Sequence, residues 1–196
     1  GFTLIEVMIV VVLLGIAGVL VIPSMSQASV LRVQSTVRTV VADITYLQGE
    51  AMAYQGRRAV WFGKVAVFDS GAGAWTYQDG NGYTLCEVRG AAIDLATDAL
   101  PDPDRLSRPL SRNFDDARYA GARIENVNFN GTQLLIFDEL GGPVRELDGP
   151  DPGAGGSLQI TGSGSTFRVD VQPYTGRVTV TQTADPSDPP VPPAPP

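Results

Sequence analysis

Histidine is absent from the 196 residues, and cysteine occurs once, at Cys86. The first absence removes imidazole acid–base catalysis, the Ser–His and Cys–His nucleophile arrangements, and His-ligated metals. One thiol forms neither an intrachain disulfide nor a Cys-cluster zinc site. In Thr84-Leu85-Cys86-Glu87-Val88 it reads as a half-buried strand thiol. Positive charge is scarce too: 14 Lys and Arg stand against 21 Asp and Glu, a net charge of −7. That balance argues against sequence-independent nucleic-acid binding, which needs a basic surface to neutralise phosphates. No cofactor is expected.

What the chain has in abundance is apolar sequence at its start. Phe2 to Ile22 is a run of 21 residues with one charge, Glu6, and one other polar side chain, Thr3. At ~1.5 Å rise per residue a helix of that length reaches ~30 Å, the hydrocarbon thickness of a bilayer. Val, Ile and Leu fall on every face, so no amphipathic stripe competes with a membrane reading. No basic segment precedes the run and no Ala-x-Ala site follows it, unlike a standard cleaved secretory signal. Glu6 is the exception within it. A carboxylate at the bilayer centre costs roughly 2.5–3.5 kcal/mol on insertion scales, less near an end. Either Glu6 reaches the interface, one turn from the start, or it pairs with an N-terminal amine of its own chain or a neighbour's.

Gly1-Phe2-Thr3-Leu4-Ile5-Glu6, followed by an apolar run closing at Pro23, resembles the class III signal and N-terminal helix of type IV pilins and type II secretion pseudopilins. The resemblance implies cleavage by a prepilin peptidase after Gly1, N-methylation of Phe2, and subunit pairing through Glu6. It also places the family's helix-bending proline at Pro23. Gly1 is then the last leader residue; were it retained, the amine would sit one residue from the family position.

Beyond Pro23, which should bend the helix without ending it, the pattern changes. Val30, Val33, Val37, Val40, Ile44, Leu47 and Ala51 recur at alternating spacings of three and four. Arg32, Gln34, Ser35, Arg38, Asp43, Thr45 and Gln48 fill the other faces. This predicts an amphipathic helix over 24–56 with one buried stripe, stopping at Gly56. A β-rich head follows over 57–183, in keeping with 22 Gly and 15 Pro. Strands are expected over 59–68, 74–78, 83–88, 123–129, 133–137 and 158–161, with turns at 70–73, 79–82 and 130–131. Residues 89–121 read as an irregular surface insertion, with a helical turn near 91–99. The clearest pairing is the hairpin of Thr166–Gln172 and Arg177–Thr181 about Pro173–Gly176. Residues 184–196 have seven Pro in 13 positions and read as a disordered or polyproline-like tail.

Within the head, Phe137, Asp138 and Gly141, then Pro173, Thr175, Gly176, Arg177, Val178 and Val180, resemble phrases of the GspH/FimT-like minor pseudopilins and minor pilins. The expected fold is therefore α+β and pilin-like: a long N-terminal helix packed on an antiparallel β head.

Other constellations read as structure. The pairs Asp102/Asp104 and Asp148/Asp151 lack EF-hand spacing and suit solvated turns. Arg105, Arg108, Arg112, Arg118 and Arg123 are interleaved with Asp102, Asp104, Asp115 and Asp116, a mixed salt-bridged surface. Gly162–Phe167 precedes a strand, not a helix, which argues against a phosphate cradle. Trp61, Trp75 and Tyr77 read as cross-strand core pairs. The resemblance implies a non-enzymatic minor pseudopilin of a type II secretion pseudopilus. Its expected partners are other pilin-like subunits, the prepilin peptidase and the bacterial inner membrane, with the head on the periplasmic side. The alternatives are a minor type IV pilin, in pilus priming or DNA uptake, and a membrane-anchored enzyme or binding module behind a pilin-like signal.

Overall fold

The computed structural model describes residues 1, 3–119 and 121–184, with backbone alone for 17–29 and 184. The chain is α+β: one long N-terminal helix, α1 (Leu4–Tyr54), followed by antiparallel strands. The helix runs unbroken past Pro23. Over its second half the predicted stripe is buried: Val33, Val40, Leu47 and Ala51 are fully buried, and Val37 and Ile44 nearly so. The helix stops when Gln55 enters the left-handed region (φ 48), its N–H still bonding Ala51 O. The reversal thus falls on Gln55 and not on Gly56, whose own N–H also reaches Ala51 O at 3.2 Å.

The strands follow in order: β1 (Arg58–Asp69), β2 (Ala74–Glu87), β3 (Pro101–Asp102), β4 (Arg105–Pro109), β5 (Ser111–Asn113), β6 (Arg123–Phe129), β7 (Leu134–Phe137), β8 (Pro143–Val144), β9 (Gly156–Gly162), β10 (Ser165–Val171) and β11 (Val178–Ala184). A single-turn helix, α2 (Leu95–Asp98), lies between β2 and β3. Two sheets carry the core: β5-β2-β1-β7-β8 and β11-β10-β9-β6; β3 and β4 form a separate two-stranded arm. The α1 stripe packs against both sheets. It meets Val60, Phe62, Tyr83, Leu85, Leu135 and Phe137 from one, and Phe129, Leu158, Ile160, Val169 and Val171 from the other. Each such side chain contributes roughly 1.5–3 kcal/mol on burial.

The expected final hairpin is present, with Val169 opposite Val180 and Val171 opposite Val178. Its second strand includes Ala184, opposite Thr166, one residue beyond the expected 183. The Pro-rich run 185–196 lies outside the described residues.

Three expectations are corrected. Asp79–Gly82 is not a turn: β2 runs straight through it. Its glycines serve close approach. A Cβ at Gly80 would lie 2.6 Å from Val65 Cγ2, and one at Gly82 would collide with the Arg112 carbonyl. The register between β1 and β2 shifts there: Gly63 (φ +78) alone stands against Gly80–Gly82, so the extra residues of the bulge lie in β2. Residues 89–121 are not merely a surface insertion. They supply β5 to the edge of the main sheet and bury Leu110, Phe114 and Tyr119 in the core. Trp61, Trp75 and Tyr77 are half-buried, and none belongs to the central core. The fully buried core aromatics are Phe62, Tyr83, Phe114, Phe129 and Phe137, with Phe62 stacked on Phe129 at 5.5 Å. Asn130 (φ 53) and Gly131 (φ 83) do make a turn, but it carries the chain from one sheet to the other.

Candidate assembly interface

The start of α1 is built by Thr3. Its extended backbone (φ −82, ψ 150) caps the helix, and its Oγ1 accepts the Glu6 N–H at 3.4 Å. Thr3 O accepts the N–H groups of Glu6 (3.1 Å) and Val7 (3.3 Å). Thr3 and Glu6 have capping-box spacing, which places a carboxylate in the first turn, where the helix dipole favours it. The sequence reading passed over Thr3, although Thr-x-x-Glu ahead of an apolar run is the signal for it. Glu6 is exposed, and among the described residues no cation lies within ion-pair distance of it. Gly1 is exposed; Phe2 lies outside the described residues. Pro23 sits within the helix, and only its backbone is described.

Around Glu6 the helix is bare. Leu4, Ile5 and Val7 through Leu14 are between 49% and 79% exposed, and Ile16 is 57% exposed. No face of this arm is covered by the head. Among the described residues no helix is long and apolar enough to cross a membrane; described side chains of the arm stop at Ile16, short of the ~20 residues a span needs. A contiguous apolar surface of this kind marks an interaction site with protein or lipid.

A buried charged network joins α1 to the head through Asp43. Arg112 Nε donates to Asp43 Oδ2 at 2.7 Å and Nη2 to Oδ1 at 3.2 Å, while Tyr83 Oη donates to the same Oδ2 at 2.8 Å. Asp43 is thus buried, not part of the helix's solvated face as its place outside the stripe implied. Burial, then the neighbouring Asp43, raise the Tyr83 phenol well above its usual range. The hydrogen bonds to Asp43 raise Arg112. Sequence separations of 40 and 69 residues hide this network from local patterning. It ties α1 to the 89–121 segment.

The remaining candidates are placed as structure. Cys86 is fully buried, not half-buried; its Sγ donates to Ala59 O at 3.3 Å, and burial pushes the thiol up to about 12. A thiol so held is unreactive near neutral pH. Asp102 Oδ1 accepts the Asp104 N–H of its own turn at 3.0 Å. Among the described residues no three His, Cys, Asp or Glu side chains converge on a metal position. Ser163 (φ 50) and Gly164 (φ 80) form the tight β9–β10 turn. The two head phrases do meet: Gln48 Nε2 donates to both Gly141 O (2.7 Å) and Thr175 O (2.9 Å), which clamps both loops to the helix.

No protein-family model matches this chain, and neither a curated protein nor a solved structure matches it.

Proposed function

We propose that the chain is a non-enzymatic minor pseudopilin, a subunit of the pseudopilus of a type II secretion system that acts at the filament tip in assembly and protein export. The observation that carries this reading is the bare arm of α1, apolar on every face, continuous with a helix half that is packed on a β head. Such an arm needs an apolar environment all round, and two are available in turn: the bacterial inner membrane before assembly, and a bundle of like helices after it. Transfer between them costs little, because both are apolar. Prepilin peptidase cleaves after Gly1 and Phe2 is methylated. Pro23 bends the helix, and the head stays on the periplasmic side.

Glu6 sets the register of the bundle. Its carboxylate has no partner among the described residues of its own chain, and a neighbouring subunit's N-terminal amine supplies one. In a low-dielectric bundle a misregistered carboxylate is left unpaired, at a cost of several kcal/mol. The same helix and head suit a minor type IV pilin, in pilus priming or DNA uptake. The acidic head counts against the DNA-uptake variety.

The test is Glu6→Ala in the full-length chain. Membrane insertion and head folding should be retained while incorporation into filaments is lost. Normal incorporation of the variant sinks the register role. Export of a reporter protein that depends on this chain supports the secretion system; loss of surface pili without an export defect supports the pilus.

A further inference from the structure

A cleft of about 670 Å³ opens between the far end of the β1–β2 hairpin and the β3–β4 arm. The proposed function leaves it unused. Its wall carries Trp75, whose ring meets Phe68 edge-on at 5.2 Å and whose Nε1 donates to Ser107 O at 3.2 Å. The Arg108 guanidinium lies 5.8 Å from the Trp75 ring centroid. Two other guanidiniums at the cleft are engaged: Arg112 with Asp43 at 2.7 Å, and Arg118 with Asp116 at 3.5 Å. Arg105 and Arg108 are not. Among the described residues neither has a carboxylate within ion-pair distance. In a chain of net charge −7, two free guanidiniums beside a tethered indole mark a site for an anionic ligand with flat apolar groups.

The cleft also narrows the class of anion. Asp102, Asp104 and Asp116 line it alongside the arginines. A polyanion with a charge on every unit, such as nucleic acid, would place phosphates against these carboxylates. A peptide whose acidic residues are isolated between uncharged ones would not. Prolines between them suit the indole, because polyproline-type segments dock on aromatic-lined grooves.

The sequence itself contains such a segment: Asp185-Pro-Ser-Asp188-Pro-Pro opens the run that ends at Pro196. Bound as a polyproline II helix, with three residues per turn and ~3.1 Å rise, such a peptide would present the acids of positions 185 and 188 on one edge ~9 Å apart, with proline rings on the others.

We propose that this cleft binds the acidic proline-rich segment Asp185–Pro196 of the chain, with Arg105 and Arg108 on its carboxylates and Trp75 against its prolines. The contact is independent of the Glu6 register and stands or falls separately.

The test uses the chain truncated after Ala184, in detergent, with Trp61→Phe so that Trp75 is the one tryptophan. A synthetic peptide of residues 184–196 is titrated in. A saturable change in Trp75 emission is expected, weakening as salt is added. The double variant Arg105→Ala/Arg108→Ala should bind about tenfold more weakly, the loss of two exposed ion pairs, and the peptide with Asn at 185 and 188 should lose as much. Arg105→Lys/Arg108→Lys, which keeps both charges and guards against misfolding, should retain most of the binding. No saturable change, equal binding of the Asn peptide, or tighter binding of a single-stranded oligonucleotide than of the peptide would each overturn the proposal. Glu6→Ala should leave this binding unchanged, so a failure here is distinct from a failure of the assembly reading.

Discussion

The two halves of α1 are one continuous helix with two different relations to their surroundings. From Val33 to Ala51 the apolar residues form a stripe, and the stripe is buried on one side by the two sheets. From Leu4 to Ile16 they occupy every face, and every face is exposed. The hydrophobic period therefore reports the geometry of the partner. A stripe implies one flat partner on one side, here provided by the same chain. An unbroken apolar surface implies partners all round, and among the described residues the chain provides none. The halves should accordingly differ in what their side chains do for folding, and substitutions matched in chemistry can break or sharpen that contrast.

The largest effect is expected from Ile44→Ala in the packed half. Ile44 is 1% exposed within the core, and removing a buried Ile side chain costs about 3 kcal/mol once the cavity is included. Denaturant unfolding of the detergent-solubilised chain, followed by near-ultraviolet circular dichroism of the head, measures it. A loss under 1 kcal/mol would mean that the helix is not packed as described.

Asp43→Ala comes next, at about 2 kcal/mol, because it strands Arg112 and the Tyr83 hydroxyl in a largely buried site. The same measurement reads it. Combining Asp43→Ala with Arg112→Met should recover part of the loss, since an unpaired buried charge is then absent. If the double variant is less stable than the sum of the single losses, the pair is not the source of the effect.

This pair also marks the limit of what the sequence makes legible. The stripe and the last hairpin can be read from period alone, because each is a local repeat facing one core. Asp43 cannot, since a polar residue outside the stripe reads as solvated until a partner 69 residues away is brought to it. Asp79–Gly82 misleads for a related reason. Glycine serves both a turn and the close approach of two backbones, and only the β5 edge strand, drawn from a segment that reads as irregular, distinguishes them. Thr3 was legible by its spacing to Glu6. For Glu6 the sequence offers a pairing role through the resemblance alone, and no described residue of this chain pairs with it.

A smaller effect is expected from alkali. Cys86 is held neutral by burial, with its thiol pushed up to about 12 against an ordinary value of 9.0, and Tyr83 is raised for the same reason. The unfolded chain releases these protons at lower pH than the folded chain, so it binds fewer of them above pH 9. Stability should be flat below pH 9 and fall as pH rises toward 12, by at most about 1.4 kcal/mol per unit for the thiol. Cys86→Ala should reduce this slope without abolishing it, because Tyr83 remains. Unfolding curves at pH 7, 9 and 10 check this, and an unchanged slope in the variant would show that the thiol is not the group responsible.

The smallest effect on folding should come from Ile9→Ala, and it tests the comparison most directly. Ile9 is as apolar as Ile44, lies in the same helix, and is 54% exposed. Alanine has the higher intrinsic helix propensity, and no head side chain loses a contact. Head stability should therefore shift by no more than about 0.5 kcal/mol, the range of an ordinary surface substitution. Its cost should appear only where other molecules surround the arm: in filaments, where a missing side chain leaves a cavity between helices, or in lipid, where less apolar surface is buried. A variant that unfolds the head would show that the arm packs on its own chain. One that leaves folding, membrane retention and incorporation all unchanged would show that Ile9 faces no partner, and the all-round apolar surface would then need another explanation than a bundle of like helices.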